Sequence, residues 1–260
     1  MNLSELINKI KDKRELQGVP LKIVSGELET YLKKENISLT NLKEKDAKIV
    51  VSAVRASLRR MTGQFRLNNK NEDIKNHKSS KEREQLYLSL NNLVFELNIK
   101  SILDLGCGLN PLYLAKKNIF YRAYDINESD LAKIKEYFHK NGIHGETKLF
   151  DLRYAEEPFP QADLCFILKV FDTIEKRGHK LAEKIINRIS SKYIIVSFAT
   201  RTLSGKAMNH PQRGWIERLL FRLGFAYISF RGENEVFYLA SRQENLQRLL
   251  SLQSISEMRL

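Results

Sequence analysis

Lys100-Ser-Ile-Leu-Asp-Leu-Gly-Cys-Gly-Leu-Asn-Pro111 is the stretch from which the fold of this chain is read. The apolar run Ile102 to Leu105 predicts a buried strand, and it breaks at Gly106 and Gly108. Pro111 then stands where a helix can begin. Strand, glycine turn and helix in that order make a nucleotide-type site. The glycines let the backbone approach a ligand closely, and the turn leads to the positive end of a helix.

The residues around the turn narrow the ligand. A dinucleotide fingerprint needs a third glycine, but Pro111 stands in its place, and Asp104 lies two residues before the first glycine. A carboxylate there repels a pyrophosphate and suits a ligand with a cationic amino acid end, such as the methionine part of S-adenosylmethionine. Ile119 to Asp125 reads as a second strand, which places Asp125 and the adjoining Ile126 where a βαβ unit holds ribose hydroxyls. A third strand, 145–150, ends in Asp151 and Leu152. Asp151 suits the adenine amino group and Leu152 the face of the ring. With three acids at three successive strand ends, the chain resembles the class I S-adenosylmethionine-dependent methyltransferases.

Composition points toward a polyanionic partner. Among 260 residues, 44 Lys and Arg face 31 Asp and Glu, a net charge of +13. Such a field attracts nucleic acid and makes a neutral small substrate a poor fit. Both the first hundred residues and the remainder are basic, so no single tail accounts for the charge. The two cysteines, Cys107 and Cys165, lack metal-type spacing and fit a reducing cytoplasm without structural zinc. No signal sequence or run of membrane-spanning length is present, which leads to the expectation of a cytoplasmic monomer without metal.

Residues 1–75 are expected to form a helical, RNA-binding domain, and 76–260 the cofactor domain. Leu42 to about Leu67 predicts a long helix with Val50, Val54, Leu58, Met61 and Phe65 on one stripe. Arg55, Arg59 and Arg66 lie on another, with Arg60 beside it, and guanidinium groups in a row can track phosphates. Asn76 to Tyr87 reads as a helix start capped by Ser79 or Ser80, feeding the first strand. Its first turn would face the methionine end of the cofactor, with Arg83 on the carboxylate. After the strand 193–198, the loop to Gly214 carries Arg201, Lys206 and Arg213 among hydroxyls and glycines, a set suited to phosphate and ribose.

Together these pieces resemble the 16S ribosomal RNA guanine-N7 methyltransferases of the aminoglycoside-resistance type. The likeness rests on Ala53 to Phe65, on His77-Lys-Ser-Ser-Lys-Glu-Arg83, on Cys107 to Pro111 and on Ser197-Phe-Ala-Thr-Arg-Thr-Leu-Ser-Gly205. It implies a cofactor site holding His77, Ser79, Ser80 and Arg83 and a 16S ribosomal RNA partner in the small subunit. Departures are Ala199 for a proline, Ser204 for a glycine, and Val170 to Ile174 where the family tends to carry a Leu-Pro pair. These leave open the modified nucleotide and aminoglycoside resistance against a housekeeping role on another ribosomal RNA site, while the methyl-transfer expectation stands; a small-molecule methyltransferase and a silent RNA-binding assembly factor are the separate alternatives.

An endocyclic nitrogen suits the residues present. The Asp/Asn-Pro-Pro-aromatic loop of exocyclic amino methylation is replaced by Leu168 to Thr173, and Cys165 sits inside an apolar strand rather than at a nucleophile's position. Guanine N7 offers its lone pair without losing a proton, so no general base is expected and alignment supplies the rate. The fold expected is α/β: a doubly wound, mainly parallel, seven-stranded, Rossmann-like sheet behind a helical N-terminal domain. Helices are expected at 112–117, 128–141, 174–190 and 211–223, with a closing antiparallel pair at 226–231 and 235–241.

Overall fold

Alternation of short apolar runs with amphipathic stretches produces one seven-stranded sheet with helices on both faces. The computed structural model describes residues 2–39, 42–62, 78–175, 178–201, 206–208, 212–232, 234–242 and 246–252, without the side chains of 78–85, 246 and 248. The strands are β1 (Ser101–Leu105), β2 (Phe120–Asp125), β3 (Gly145–Leu149), β4 (Leu164–Leu168), β5 (Tyr193–Ala199), β6 (Phe225–Arg231) and β7 (Glu235–Arg242). They lie in the order β3-β2-β1-β4-β5-β7-β6. β7 runs antiparallel to β5 and β6, and the remaining pairs are parallel.

Because successive strand residues point to opposite faces, β1 feeds two cores. Ile102 joins a cluster with Tyr87, Leu90, Leu93, Leu131, Ile134 and Phe138. These come from α4 (Lys78–Glu96) and α6 (Glu128–Asn141). Leu103 and Leu105 join the opposite cluster with Ala182, Ile185, Ile216 and Leu220. Those belong to α8 (Lys180–Ile186) and α9 (Gly214–Arg222). β6 and β7 form the expected closing pair. The crossing order of β1 and β4, adjacent in space but far apart in sequence, is the point at which ligands bind in open α/β sheets.

The N-terminal region is helical as expected: α1 (Leu3–Lys11), a 3-10 turn (Arg14–Leu16), α2 (Leu21–Lys34) and α3 (Glu44–Thr62). Val50, Val54 and Leu58 pack with Leu6, Ile10, Leu16, Val24 and Leu28 into a separate core. α3 follows the expected stripe; Phe65 lies outside the described residues. Backbone and side chains join this core to the sheet: Glu128 donates its amide to the Gly18 carbonyl at 3.0 Å, and Ile126 packs onto the helical cluster.

Two local expectations are corrected. The helix expected over 174–190 is split into α7 (Phe171–Ile174) and α8, because Glu175 turns extended after Ile174 and Gly178 and His179, just before α8, take positive φ, which a right-handed helix does not hold. α4 already begins at Lys78, so Ser79 and Ser80 lie inside its first turn rather than at the cap. α5 (Pro111–Leu114) starts on the proline, whose fixed φ and missing N–H suit a first helical position. α10 (Leu246–Leu250) follows β7. Among the described residues no helix is long and apolar enough to cross a membrane.

Candidate cofactor and RNA site

The turn after β1 takes its shape from glycines at φ 71° and 51°. Gly106 has no room for a side chain: a Cβ there would stand 2.6 Å from Cγ2 of Val170, whereas at Gly108 it would meet open space. The Tyr124 carbonyl accepts from the amides of Gly106 at 2.8 Å and Cys107 at 3.1 Å, which folds the turn over the end of β2. At that end Asp125 accepts from the Gly108 amide and from the Asn127 amide, both at 2.8 Å. Turn and acid therefore form one unit. From α4, the Tyr87 hydroxyl donates to Asn110 at 3.0 Å, and its ring stacks on Tyr113 at 4.4 Å, so α4 is seated beside the turn.

Asp104 is fully buried beneath this turn. Its Oδ2 accepts from the Tyr121 hydroxyl at 2.7 Å, while no donor meets the buried Oδ1 in hydrogen-bonding geometry, the nearby Asn110 side chain giving it only a weak interaction. Burial pushes its pKa up to about 7, opposed by the Tyr121 hydroxyl and the Asn110 side chain and reinforced by the nearby Asp125 charge. A buried acceptor without a donor is costly. A ligand ammonium arriving there would satisfy it, and the glycine turn leaves backbone within reach. The residues present thus fit an amino acid moiety at Asp104 and a diol at Asp125.

Asp151 is placed at the end of β3, but its carboxylate is already engaged. Arg153 donates to it through Nε at 3.0 Å and Nη2 at 2.7 Å, and Nη1 of the same guanidinium meets Glu27 of α2 at 2.5 Å. Glu27 in turn accepts from Ser57 of α3 at 2.5 Å. A chain of polar contacts therefore runs from the N-terminal helices to the expected adenine position. Leu152 is almost wholly buried in the core beside it, and Ile126 faces the helical domain. Arg153 and Glu27 were not anticipated, because their pairing spans 126 residues and leaves no local signal. Removing the link with Glu27→Ala is expected to weaken cofactor binding a few-fold while sparing the sheet, as followed by calorimetry and melting temperature. Unchanged affinity would leave the chain as a structural contact alone.

The basic residues separate into two kinds. Arg55 donates to the carbonyls of Lys9 and Ile10, and Arg59 forms a 2.6 Å ion pair with Glu15. Both tie α3 to the segment before it. Burial acts to raise the Glu15 carboxyl, but hydrogen bonds from its own backbone and from Arg59, together with the Arg59 charge, hold it below its usual range. Arg60 is exposed. Arg213 lies against Asp172 at 3.5 Å, donates to the Ala199 carbonyl at 3.1 Å and sits over the Phe198 ring. It organises the base of the β5 loop. Arg201 and Lys206 are exposed on that loop. His77 and Arg66 lie outside the described residues, as do the side chains of Ser79, Ser80 and Arg83.

Sequence reasoning also passed over a polar cluster between β4 and β5. Lys169, the first residue after β4, has φ 59° and places its ammonium 2.7 Å from Glu235 at the start of β7. Ser197 donates to the other Glu235 oxygen at 2.9 Å and accepts from the Lys169 amide at 3.1 Å. A lysine directly after an apolar strand was the available signal. Its acidic partner is visible only in three dimensions.

Cys107 and Cys165 are buried, and burial raises both thiols well above the ordinary range. Neither is poised as a nucleophile. Among the described residues no group of three His, Cys, Asp or Glu side chains could hold a metal ion.

Strand order, glycine turn and strand-end acids define a class I methyltransferase fold. More narrowly, the chain belongs to the family described as ribosomal RNA methyltransferase (FmrO), whose model matches residues 42–239, from the start of α3 into β7. Among similar proteins are 16S rRNA (guanine(1405)-N(7))-methyltransferases. The one from Frankia casuarinae is 24% identical over 145 residues, 54% of this chain and 51% of that protein. The one from Serratia marcescens is 28% identical over 145 residues, 54% of this chain and 57% of that protein. The chain thus spans about half the length of these relatives. The structure of the 16S rRNA methylase RmtB superposes with a TM-score of 0.70 at 21% identity, covering 94% of this chain and 99% of that one. RmtF in complex with S-adenosyl-L-homocysteine gives 0.70 at 20% identity, with 94% and 100% covered.

Proposed function

We propose that this protein transfers the methyl group of S-adenosylmethionine to N7 of a guanine in 16S ribosomal RNA of the small subunit, in the cytoplasm. One observation carries the reading: a buried Asp104 with an unsatisfied oxygen lies beneath a glycine turn bound to Asp125, in a chain of the ribosomal RNA methyltransferase family. The bound cofactor would supply an electrophilic methyl on a sulfonium sulfur. Asp104 receives the ammonium of its methionine end. Asp125 accepts from the ribose hydroxyls while its backbone contacts hold the acid in place. Asp151 and Leu152 border the adenine, Asp151 being oriented by Arg153.

The chain's remaining task is alignment. Guanine N7 already carries an exposed lone pair and has no proton to lose, so a methyl group held in line with it by these residues would need no further activation. No residue need act as a general base. Residues 1–75 act as the RNA-docking domain. The charge of +13 favours the RNA backbone, with Arg60, Arg201 and Lys206 as phosphate contacts. The direct test incubates the purified protein with small ribosomal subunits and tritiated S-adenosylmethionine, then maps the labelled nucleotide by N7-specific cleavage. Label on a pyrimidine or on an exocyclic amino group would reject the assignment.

Asp104 makes cofactor binding dependent on pH. The ligand ammonium favours the ionised carboxylate, so affinity should fall as pH drops below about 7, the folded pKa. Stability should move the other way. The unfolded carboxyl loses its proton near pH 4, before the folded one, so stability falls as pH rises through the window from about 4 to about 7. Asp104→Asn is expected to flatten both slopes, measured by calorimetry and thermal melting; retention of either slope in the variant would assign that slope to another group.

The division among the arginines gives a further expectation. Arg60→Ala should lower the slope of log affinity for RNA against log salt by about 0.7 to 0.9, with an unchanged melting temperature. Arg59→Ala should lower the melting temperature, because it breaks the partly buried pair with Glu15.

A further inference from the structure

Asp104 is an unexpected occupant of its strand face. In β1 it shares a side with Ile102, the side covered by α4 and α6 and filled by apolar groups such as Leu90, Leu93, Ile134 and Phe138. Tyr121, on the neighbouring β2, is as deeply placed: both residues are 0% exposed, and the phenol ring meets Phe138 edge-on at 6.0 Å. Its hydroxyl reaches Asp104 Oδ2 at 2.7 Å. Burying a carboxyl and a hydroxyl together in an apolar layer costs hydration at both, and an apolar pair of the same shape would be close to neutral for stability. The pair is therefore informative about function. Asn110 flanks it. This residue accepts from the Tyr87 hydroxyl of α4 through Oδ1, which leaves its amide protons for the Asp104 carboxyl, on which it acts weakly. The groups acting on Asp104 are thus two neutral donors, Tyr121 and Asn110, and one anion, Asp125. Its own charge is felt by Tyr121 and by the buried thiols of Cys107 in the turn and Cys165 in β4. The opposite charge is left for a ligand to bring.

We propose that Tyr121 is a positioning residue for the cofactor, its hydroxyl holding Asp104 as a carboxylate whose Oδ1 is left to receive the ligand ammonium. This rests on the reading of Asp104 as the acceptor of the methionine end. The chemistry of the donor accounts for a tyrosine at this place. A lysine or arginine beside Asp104 would also ionise it, but would cancel the charge that the ligand needs. A phenol favours the anion through one hydrogen bond and leaves its charge in place. Burial and the Asp104 charge push that phenol well above its ordinary range, so it remains a donor while Asp104 titrates. With phenylalanine at 121 the carboxyl would keep its proton to higher pH. Only the ionised fraction offers the ammonium a charge, and affinity is reduced by that fraction. The gain is confined to ligands that carry the amino acid end.

The test is calorimetry with S-adenosyl-L-homocysteine from about pH 6 to about pH 9, a span that covers the Asp104 titration. Wild type is compared with Tyr121→Phe, which keeps the ring and its contact with Phe138. At the acid end the variant should bind about 10-fold more weakly, the lower edge of what losing a hydrogen bond to a charged group costs. Toward the alkaline end, where Asp104 is ionised in both proteins, the affinities should converge. The amine of the ligand titrates alike for both proteins and cancels in their ratio. Two controls make the result specific. Methylthioadenosine, which has the adenine and ribose but no amino acid end, should bind both proteins equally and so report a folded site. In an Asp104→Asn background, Tyr121→Phe should leave S-adenosyl-L-homocysteine affinity unchanged at every pH, since the tyrosine acts through the acid. An affinity ratio that is constant across the pH range would overturn the proposal and leave Tyr121 a packing residue. An equal loss for methylthioadenosine, or an undiminished effect in the Asp104→Asn background, would overturn it as well. Wild-type protein that binds S-adenosyl-L-homocysteine no more tightly than methylthioadenosine would instead reject the placing of the ammonium at Asp104 in the proposed function, and the proposal with it.

Discussion

Replacing Arg201 and Lys206 together with alanine is expected to lower methyl transfer to small subunits about 100-fold while leaving folding and cofactor affinity nearly unchanged. The base of their loop is closed by the backbone: Met208 donates its amide to the Thr200 carbonyl, Thr200 donates to the Asn234 carbonyl, and Arg201 bridges Ala207. Arg213 adds a side-chain clamp to Asp172 and Ala199. Two exposed charges can therefore be removed at a cost within about 0.5 kcal/mol of stability. Their proposed work is to hold phosphates beside the target base, and a displacement of about an ångström can cost on the order of 100-fold in rate. Single-turnover transfer with tritiated cofactor, alongside thermal melting, measures both effects. Wild-type turnover in the folded double variant would show that this loop does not position the RNA. Arg213→Ala should behave differently and lower the melting temperature, since its guanidinium is part of the loop's packing.

The second large effect is expected at Asp125. Losing charge-assisted hydrogen bonds to the ribose should weaken S-adenosylmethionine binding by about 1.5 to 3 kcal/mol in Asp125→Ala. The structure adds a reason to expect the upper part of that range, because the same carboxylate anchors the amides of Gly108 and Asn127. Without it the glycine turn loses the acceptor that shapes it. Asp125→Asn keeps one carbonyl acceptor and should fall between wild type and the alanine variant. Calorimetry that finds wild-type affinity for Asp125→Ala would remove the residue from the site.

The cofactor half of the candidate site was legible because it is built from strand ends. Asp104, Asp125 and Asp151 lie at or just past the ends of β1, β2 and β3, and βαβ connectivity brings such ends to one edge of the sheet. The arginine stripe was legible only as a pattern. Arg55, Arg59 and Arg60 stand on one helix, but the first two satisfy carbonyls and a carboxylate of the preceding segment, and periodicity cannot distinguish that from a solvated face. The same limit hid the engagement of Asp151, whose guanidinium partner is two residues away but is aimed by Glu27 from the N-terminal helices.

By itself the sequence determined the order of strands and helices, the helical start of the chain, the glycine turn and its family likeness, because these depend on local period and on residues close in the chain. Tertiary structure alone decided which charges are spoken for. Lys169 and Glu235 meet across 66 positions, and Ser197 joins them only because β5 lies between β4 and β7. A charge carries no mark of its partner in the sequence. Folding brings distant segments together, and burial then requires that each ionised group find an opposite charge or a hydrogen bond.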